Sequence, residues 1–219
     1  MRTALVIGAT GLVGKALVYE LLKNNEYLKV IILTRKDLVI KHHKLEQHIV
    51  DFDNLDDYKE VIKADDIFCC IGTTSAQTPD KNKYRKIEID YPKKVAELGL
   101  QNHANQLFYI SAMGSNINSP IFYSKLKAEA ENALSELNFK SIHIIKPALL
   151  LGARKQLRVG EKMAQYIFKV INPVFIGPLK QYKAITAETV AKAMIKIALQ
   201  NLNGKHIWPN DKLFSVVGK

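Results

Sequence analysis

Short unbroken apolar runs recur along the first 150 residues, each closed by glycine or polar residues, and apolar positions at helical spacing fill the intervals. Leu5-Val6-Ile7, Lys29 to Leu33, Gln47 to Val50, Asp66 to Gly72, Leu107 to Ile110 and Ile142 to Ile145 are predicted strands. Their continuity, rather than alternation, is the pattern of parallel strands covered on both faces. Helices are predicted over Leu12 to Leu22, 54–63, Lys83 to Asn102, the segment carrying Tyr123 to Lys127, 160–171 and 187–200. Pro92 should bend or break the third of these. A strand-like pair, His206 to Trp208 and Leu213 to Val217, ends the chain. Regular β–α alternation predicts a Rossmann-type doubly wound parallel sheet with helices on both faces. Residues 1–219 form one domain in this reading, with roughly 150–219 as a substrate lid and C-terminal elements.

The first strand runs into Gly8-Ala9-Thr10-Gly11-Leu12-Val13-Gly14 and then into an amphipathic helix. Gly8 can take the turn, Gly11 lets backbone approach a phosphate, and Gly14 lets the helix pack closely on the strand. A pyrophosphate would then meet free N–H groups and the positive end of the helix dipole. The spacing differs from the standard Gly-x-Gly-x-x-Gly. The second strand ends in Thr34-Arg35-Lys36, where an acid would favour NAD. The basic pair suits the 2′-phosphate of NADP instead, so NADPH or NADP is the preferred cofactor, with NAD the other option.

Further strand ends reach the same sheet edge. Asp51 could accept from an adenine amino group and Phe52 could flank the ring; equally, the pair could simply cap the segment at 54–63. Gly72-Thr73-Thr74, following Ile71, would let cofactor phosphate and ribose pass close to backbone. Ser111 ends the fifth strand, with Ser115 close behind. Tyr123 and Lys127 lie four apart and share a helix face. Lys127 would lower the phenol pKa and hold the nicotinamide ribose, Tyr123 would exchange a proton with a carbonyl oxygen, and Ser111 would hydrogen-bond that oxygen.

With 219 residues, 47% of them hydrophobic, the chain can bury a large single core. No signal-peptide core and no membrane-length apolar run is present, so a cytoplasmic location is expected. Adjacent Cys69 and Cys70 exclude a disulfide framework and are expected on opposite strand faces; a metal site lacks ligands. The net charge of +11 suits anionic partners, but the lysines are dispersed and no nucleic-acid motif accompanies them, so no specific nucleic-acid binding is expected. The expected partner is a small-molecule substrate. The sequence leaves open a protein partner and a monomer or homodimer.

Taken together, Gly8-x-x-Gly11-x-x-Gly14, Arg35, Asp51-Phe52, Gly72-Thr73-Thr74 and Tyr123-x-x-x-Lys127 resemble the atypical branch of the short-chain dehydrogenase/reductase superfamily. Phe68 to Thr74, Asp90-Tyr91 and Lys146-Pro147-Ala148-Leu149-Leu150-Leu151 are similar to the Tat-interacting-protein oxidoreductase group and its bacterial relatives. The resemblance implies an NADPH-binding Rossmann fold, with Pro147, Ala148, Leu149 and Leu150 against the nicotinamide end, and an oxidoreductase acting on a small carbonyl or related compound. Ala112 stands where the family often has a second serine. Members of the group also include regulators of other proteins, so a cofactor-sensing interaction protein is one alternative and a sugar-nucleotide epimerase or dehydratase another.

Overall fold

The computed structural model describes residues 1–151 and 182–218. Among them, seven strands form one all-parallel sheet: β1 (Arg2–Ile7), β2 (Tyr27–Thr34), β3 (Leu45–Ile49), β4 (Asp66–Cys69), β5 (Gln106–Ile110), β6 (Ser141–Lys146) and, later, β9 (Gly204–Pro209). Their order is β3-β2-β1-β4-β5-β6-β9, so the chain winds outward in both directions from β1 and β4. Such a switch point opens a crevice at the carboxyl ends of the strands. A separate two-stranded parallel sheet joins β7 (Leu150–Leu151) to β8 (Ile185–Thr186).

Alternate residues of each strand enter opposite cores. Leu5, Ile7, Ile67 and Cys69 pack with α3 (Tyr91–Gln101) and α4 (Phe122–Ser135). Ala4, Val6 and Phe68 pack with α1 (Leu12–Lys23), α5 (Ala187–Ala198) and α6 (Asn210–Val217) on the other face. Half-buried Cys70 joins this second side, so the two thiols lie on opposite faces as expected. On that side Phe68, Phe108, His143 and His206 stack across four neighbouring strands, with ring centroids 4.8, 4.3 and 5.3 Å apart.

The structure changes three of the expected elements. Leu213 to Val217 is not a strand but most of α6: Pro209 closes β9, and apolar residues at 213, 214, 216 and 217 follow helical spacing. The segment at 54–63 is a 3₁₀ helix, Leu55–Val61. Pro92 does not break its helix. The helical run from α2 (Lys81–Arg85) into α3 passes through a π-turn at Lys86–Asp90, and Pro92 sits in the first turn beyond it. Having no N–H, Pro92 cannot engage the Glu88 carbonyl four residues back, and the Tyr109 hydroxyl donates to that carbonyl at 3.4 Å. The helix predicted at 160–171 lies outside the described residues.

Candidate functional site

The β1–α1 turn is held by backbone in close approach. Gly8 has φ +82°, and a Cβ there would lie 2.4 Å from the Cys70 carbonyl carbon and the Ile71 nitrogen. A Cβ on Gly14 would lie 2.2 Å from the Gly8 carbonyl oxygen. The end of β1, the start of α1 and the chain leaving β4 are therefore in direct contact at the switch point. Gly11 is the N-cap of α1; no side chain caps the helix and its first turn carries no acid. That leaves helix N–H groups and the positive dipole end for an anion, and the residues present fit a dinucleotide diphosphate. Thr10 and Gly11 are exposed, Leu12 is half-buried, and Ala9 and Val13 are core residues that could offer a ligand only their backbone.

Arg35 and Lys36 follow β2 and are exposed. The Thr34 hydroxyl donates to the Lys36 carbonyl at 2.8 Å, shaping the turn that carries both cations. Asp51 uses both oxygens locally, accepting from the Asp53 amide at 3.0 Å and from Asn54 Nδ2 at 2.7 Å. Phe52 is buried and packs on Tyr91, with ring centroids 5.4 Å apart. Burial and Asp53, which accepts from the Tyr91 hydroxyl, push the Tyr91 pKa up to about 12, while the Arg35 charge acts in the opposite sense.

Beyond β4, Ile71, Thr73 and Thr74 are half-buried and Gly72 is exposed. Tyr84 donates from its hydroxyl to the Thr73 carbonyl at 3.0 Å, and the Thr73 and Thr78 hydroxyls share a hydrogen bond of 2.8 Å. After β6, the Pro147 carbonyl accepts from the Met113 amide at 3.1 Å. The Ala148 amide donates to Asn210 Oδ1 at 3.0 Å, so α6 fixes the start of Pro147 to Leu150.

Helix α4 presents Tyr123, Lys127 and Glu131 at successive four-residue steps. Lys127 is buried, and its Nζ donates to the Ile110 carbonyl at 2.8 Å and the Tyr109 hydroxyl at 3.1 Å. It also lies 2.8 Å from Glu88 Oε2. Burial alone would discharge the lysine, but Tyr109, Glu88 and Tyr123 hold its pKa well above the ordinary value. Tyr123 is half-buried at the edge of the same core. Ser111 is only 3% exposed, and its hydroxyl donates to Glu131 Oε1. Ser115 donates to the same oxygen at 2.5 Å, while Glu131 Oε2 pairs with Lys146 Nζ at 2.8 Å.

The structure thus brings Tyr123, Lys127, Ser111 and Ser115 to one end of the sheet, together with three groups that the sequence reading missed: Glu88, Tyr109 and Glu131. Glu131 was signalled by its spacing from Lys127. Glu88 was signalled by its setting, a lone acid between Ile87 and Ile89 just before Pro92. Among the described residues no group of three or more His, Cys, Asp or Glu could hold a metal. Burial pushes the Cys70 thiol up to about 12 and Cys69 higher still, so neither is a ready thiolate.

Protein HTATIP2 of Rattus norvegicus is 28% identical over 222 residues, covering 100% of this chain and 90% of its own. The mitochondrial protein FMP52 of Candida albicans is 28% identical over 206 residues, covering 91% of this chain and 89% of that one. Among solved structures, MoeE5 in complex with UDP-glucuronic acid and NAD superposes with a TM-score of 0.71 at 16% identity, covering 94% of this chain and 75% of that one. The UDP-N-acetylglucosamine 4-epimerase of Methanobrevibacter ruminantium gives 0.68 at 18% identity, covering 98% and 80%. These structural likenesses establish the Rossmann-type fold, and the sequence relatives agree with an atypical short-chain dehydrogenase/reductase. A family match spanning residues 4–207 joins the glycine turn, the seven-stranded sheet and the Tyr123–Lys127 helix in one assignment: the chain belongs to the NAD dependent epimerase/dehydratase family.

Proposed function

We propose that this chain is an NADPH-dependent oxidoreductase acting on a small carbonyl or related compound. The reading rests on Tyr123 and Lys127 standing on one face of α4, with Lys127 anchored to the Ile110 carbonyl at the end of β5, beside the switch point. The N-terminus of α1 would hold the diphosphate, Arg35 and Lys36 the 2′-phosphate, and Lys127 the nicotinamide ribose. Asp51, Phe52 and Gly72 to Thr74 would line the adenosine and phosphate path, and Pro147 to Leu150 the nicotinamide end. When bound, the nicotinamide would supply the hydride; Tyr123 would move the proton at the carbonyl oxygen.

A cofactor sensor with little turnover is the second reading, favoured by one observation. Ser111 is almost wholly buried and its hydroxyl proton is committed to Glu131, leaving it poorly placed to donate to a substrate. Cytoplasmic location is part of the proposal: none of the described helices is long and apolar enough to cross a membrane, whereas the FMP52 relatives are named as mitochondrial.

Titrating NADPH and NADH against wild type and Arg35→Ala tests the cofactor assignment. A charge-assisted contact of about 1.5 to 3 kcal/mol should give wild type a clear NADPH preference that the variant loses. Equal wild-type affinities would remove NADPH from the reading. Tyr123→Phe should keep NADPH affinity and lower reduction of the best aldehyde, ketone or quinone substrate by a factor on the order of 10². Tight NADPH binding with no compound turned over by wild type would favour the sensor.

A further inference from the structure

The Glu88 carboxylate joins two parts of the site that are distant in sequence. Its Oε1 accepts from the Thr73 amide at 2.8 Å, in the loop leaving β4, and its Oε2 lies 2.8 Å from Lys127 Nζ on α4. The side chain is 1% exposed and springs from the π-turn, a local widening of a helix that re-aims the side chains it carries. A Cβ on Gly72 would come within 3.3 Å of Oε1, so Gly72 leaves the room in which the carboxylate sits.

Glu88 Oε2 and Lys127 Nζ are thus at the distance of a charge-assisted contact in a buried setting. An ammonium group has three N–H donors. Tyr109 and the Ile110 carbonyl take two. Glu88 stands at the third place around the ammonium and balances its charge in a buried setting.

We propose that Glu88 is a positioning residue for nucleotide binding: it keeps Lys127 charged and fixed at the carboxyl ends of the strands, and it ties the lysine to the Gly72–Thr73 loop. This rests on the dinucleotide reading of the same site. The groups facing Lys127 are Glu88 on the π-turn, Tyr109 on β5, Tyr123 on its own helix and the Cys70 thiol at the end of β4. Of these, Glu88 alone is a carboxylic acid, and burial holds the Tyr109 hydroxyl and the Cys70 thiol protonated.

The experiment is a titration of NADPH from pH 6.5 to 9.5 against the full chain as wild type, Glu88→Gln, Glu88→Asp, Lys127→Met and Glu88→Gln/Lys127→Met. Glutamine keeps an acceptor for the Thr73 amide and removes the charge. Wild-type affinity should be flat with pH. In Glu88→Gln it should weaken roughly tenfold or more as pH rises, because the uncompensated lysine loses its proton within this range. Glu88→Asp should restore the flat profile. In the Lys127→Met background the Glu88 substitution should have no further effect on affinity. The same variants melted across this pH range give a readout independent of ligand. Glu88→Gln should fall further below wild type as pH drops and its unpaired lysine charges, and the double variant should not. Nucleotide binding that is flat in Glu88→Gln, or losses that add in the double variant, would overturn the role of Glu88 alone. Failure of wild type to bind NADPH or NADH would overturn the dinucleotide reading and this role with it.

Discussion

A buried ion pair stands near each end of β4, and the two are built for different ends. At the start of the strand, Asp66 accepts from Arg2 Nη2 at 2.5 Å and from the Tyr27 hydroxyl at 2.7 Å, while Arg2 Nη1 donates to the Ala198 carbonyl at 2.9 Å and to Asn201. Both carboxylate oxygens are engaged, and the guanidinium fastens the C-terminus of α5 to β1. Beyond the other end, Glu88 pairs with Lys127 at 2.8 Å and accepts from the Thr73 amide in the loop leaving β4. The same charges thus make a clasp in one place and part of the candidate site in the other. What separates them is place: one ties the end of a helix to the start of the sheet, the other lies at the carboxyl ends of the strands, where a doubly wound sheet opens its crevice. The two edges also differ in material: the Arg2 edge is joined by side chains, the glycine-rich edge by backbone in near contact.

The largest effect should come from the backbone edge. Gly14→Val sets a branched side chain against the Gly8 carbonyl, already 2.2 Å from where a Cβ would fall, and backbone cannot yield as a flexible side chain would. The cost should exceed the roughly 5 to 15 kcal/mol that ordinarily holds a domain together, leaving no soluble folded protein. A folded Gly14→Val variant with a cooperative melting transition would show that the turn has slack. No single substitution at the Arg2 edge should match this.

Asp66→Asn is next. It removes the charge facing Arg2, whose side chain is 15% exposed, and breaking one side of such a pair costs roughly 3 to 5 kcal/mol. Denaturant unfolding should show that loss while the folded fraction binds nucleotide with unchanged affinity. Weakened affinity would mean that the two ends of β4 are coupled and the contrast between them false.

Acid stability sharpens the same contrast, because the Arg2 end of the sheet also holds buried groups that titrate in opposite directions. His143 is fully buried and accepts at Nδ1 from Trp208 Nε1 at 3.1 Å; burial, assisted by His206, pushes its pKa down to about 3. Between about pH 6.5 and 3 the unfolded chain binds a proton that the folded chain refuses, so this group's stability contribution is lost as pH falls through that window. Burial lifts Asp66 to about 6 against the pull of Tyr27 and Arg2. Its native state takes up a proton before the unfolded state does, so it offsets part of the loss between about pH 6 and 4. The His143 contribution is about 2 to 3 kcal/mol between pH 6.5 and 4.5, so His143→Gln should gain about that much at pH 4.5 relative to pH 6.5 when its urea-unfolding profile is set against that of wild type. An unchanged pH profile would remove His143 from this account.

The strands were legible because a doubly covered parallel sheet needs continuous apolar runs, and Gly8, Gly14 and the Tyr123–Lys127 pair were legible because local geometry sets their spacing. Tyr109 left no such signal, and the spacing of Glu131 and the setting of Glu88 did not show their roles, because those roles are made by contacts across 15 to 39 residues of chain, such as Glu88 with Thr73 and with Lys127. The π-turn escaped for a related reason: Pro92 signals a disturbed helix, but only the buried Tyr109 hydroxyl shows how the freed carbonyl is satisfied. The aromatic ladder from Phe68 to His206 likewise depends on strand register, which no single run reveals. At 213–217 a short apolar run fits strand and helix alike, and Pro209 and the place of the segment after β9 decide for the helix.

The smallest effect expected is at Ser115, and it separates two hydroxyls that share one carboxylate oxygen. Glu131 Oε1 accepts from Ser111 and from Ser115, and Oε2 is held by Lys146. Ser115→Ala therefore leaves the carboxylate with Ser111 and a cation, at a cost of about 1 kcal/mol, or roughly 2 to 4 °C in melting temperature for a chain of this length. Ser111→Ala removes the hydroxyl lying directly at the end of β5, next to the Ile110 carbonyl that anchors Lys127. If Ser111 turns from Glu131 to polarise a substrate, its loss should lower kcat while Ser115→Ala leaves kcat within about threefold of wild type. In Ser111→Ala, Ser115 and Lys146 would still hold Glu131, so a fall in kcat there reports the hydroxyl and not a displaced carboxylate. The opposite ranking, with Ser115→Ala the slower variant, would move the polarising role to Ser115. Equal and small effects would mean that both serines serve only to seat Glu131.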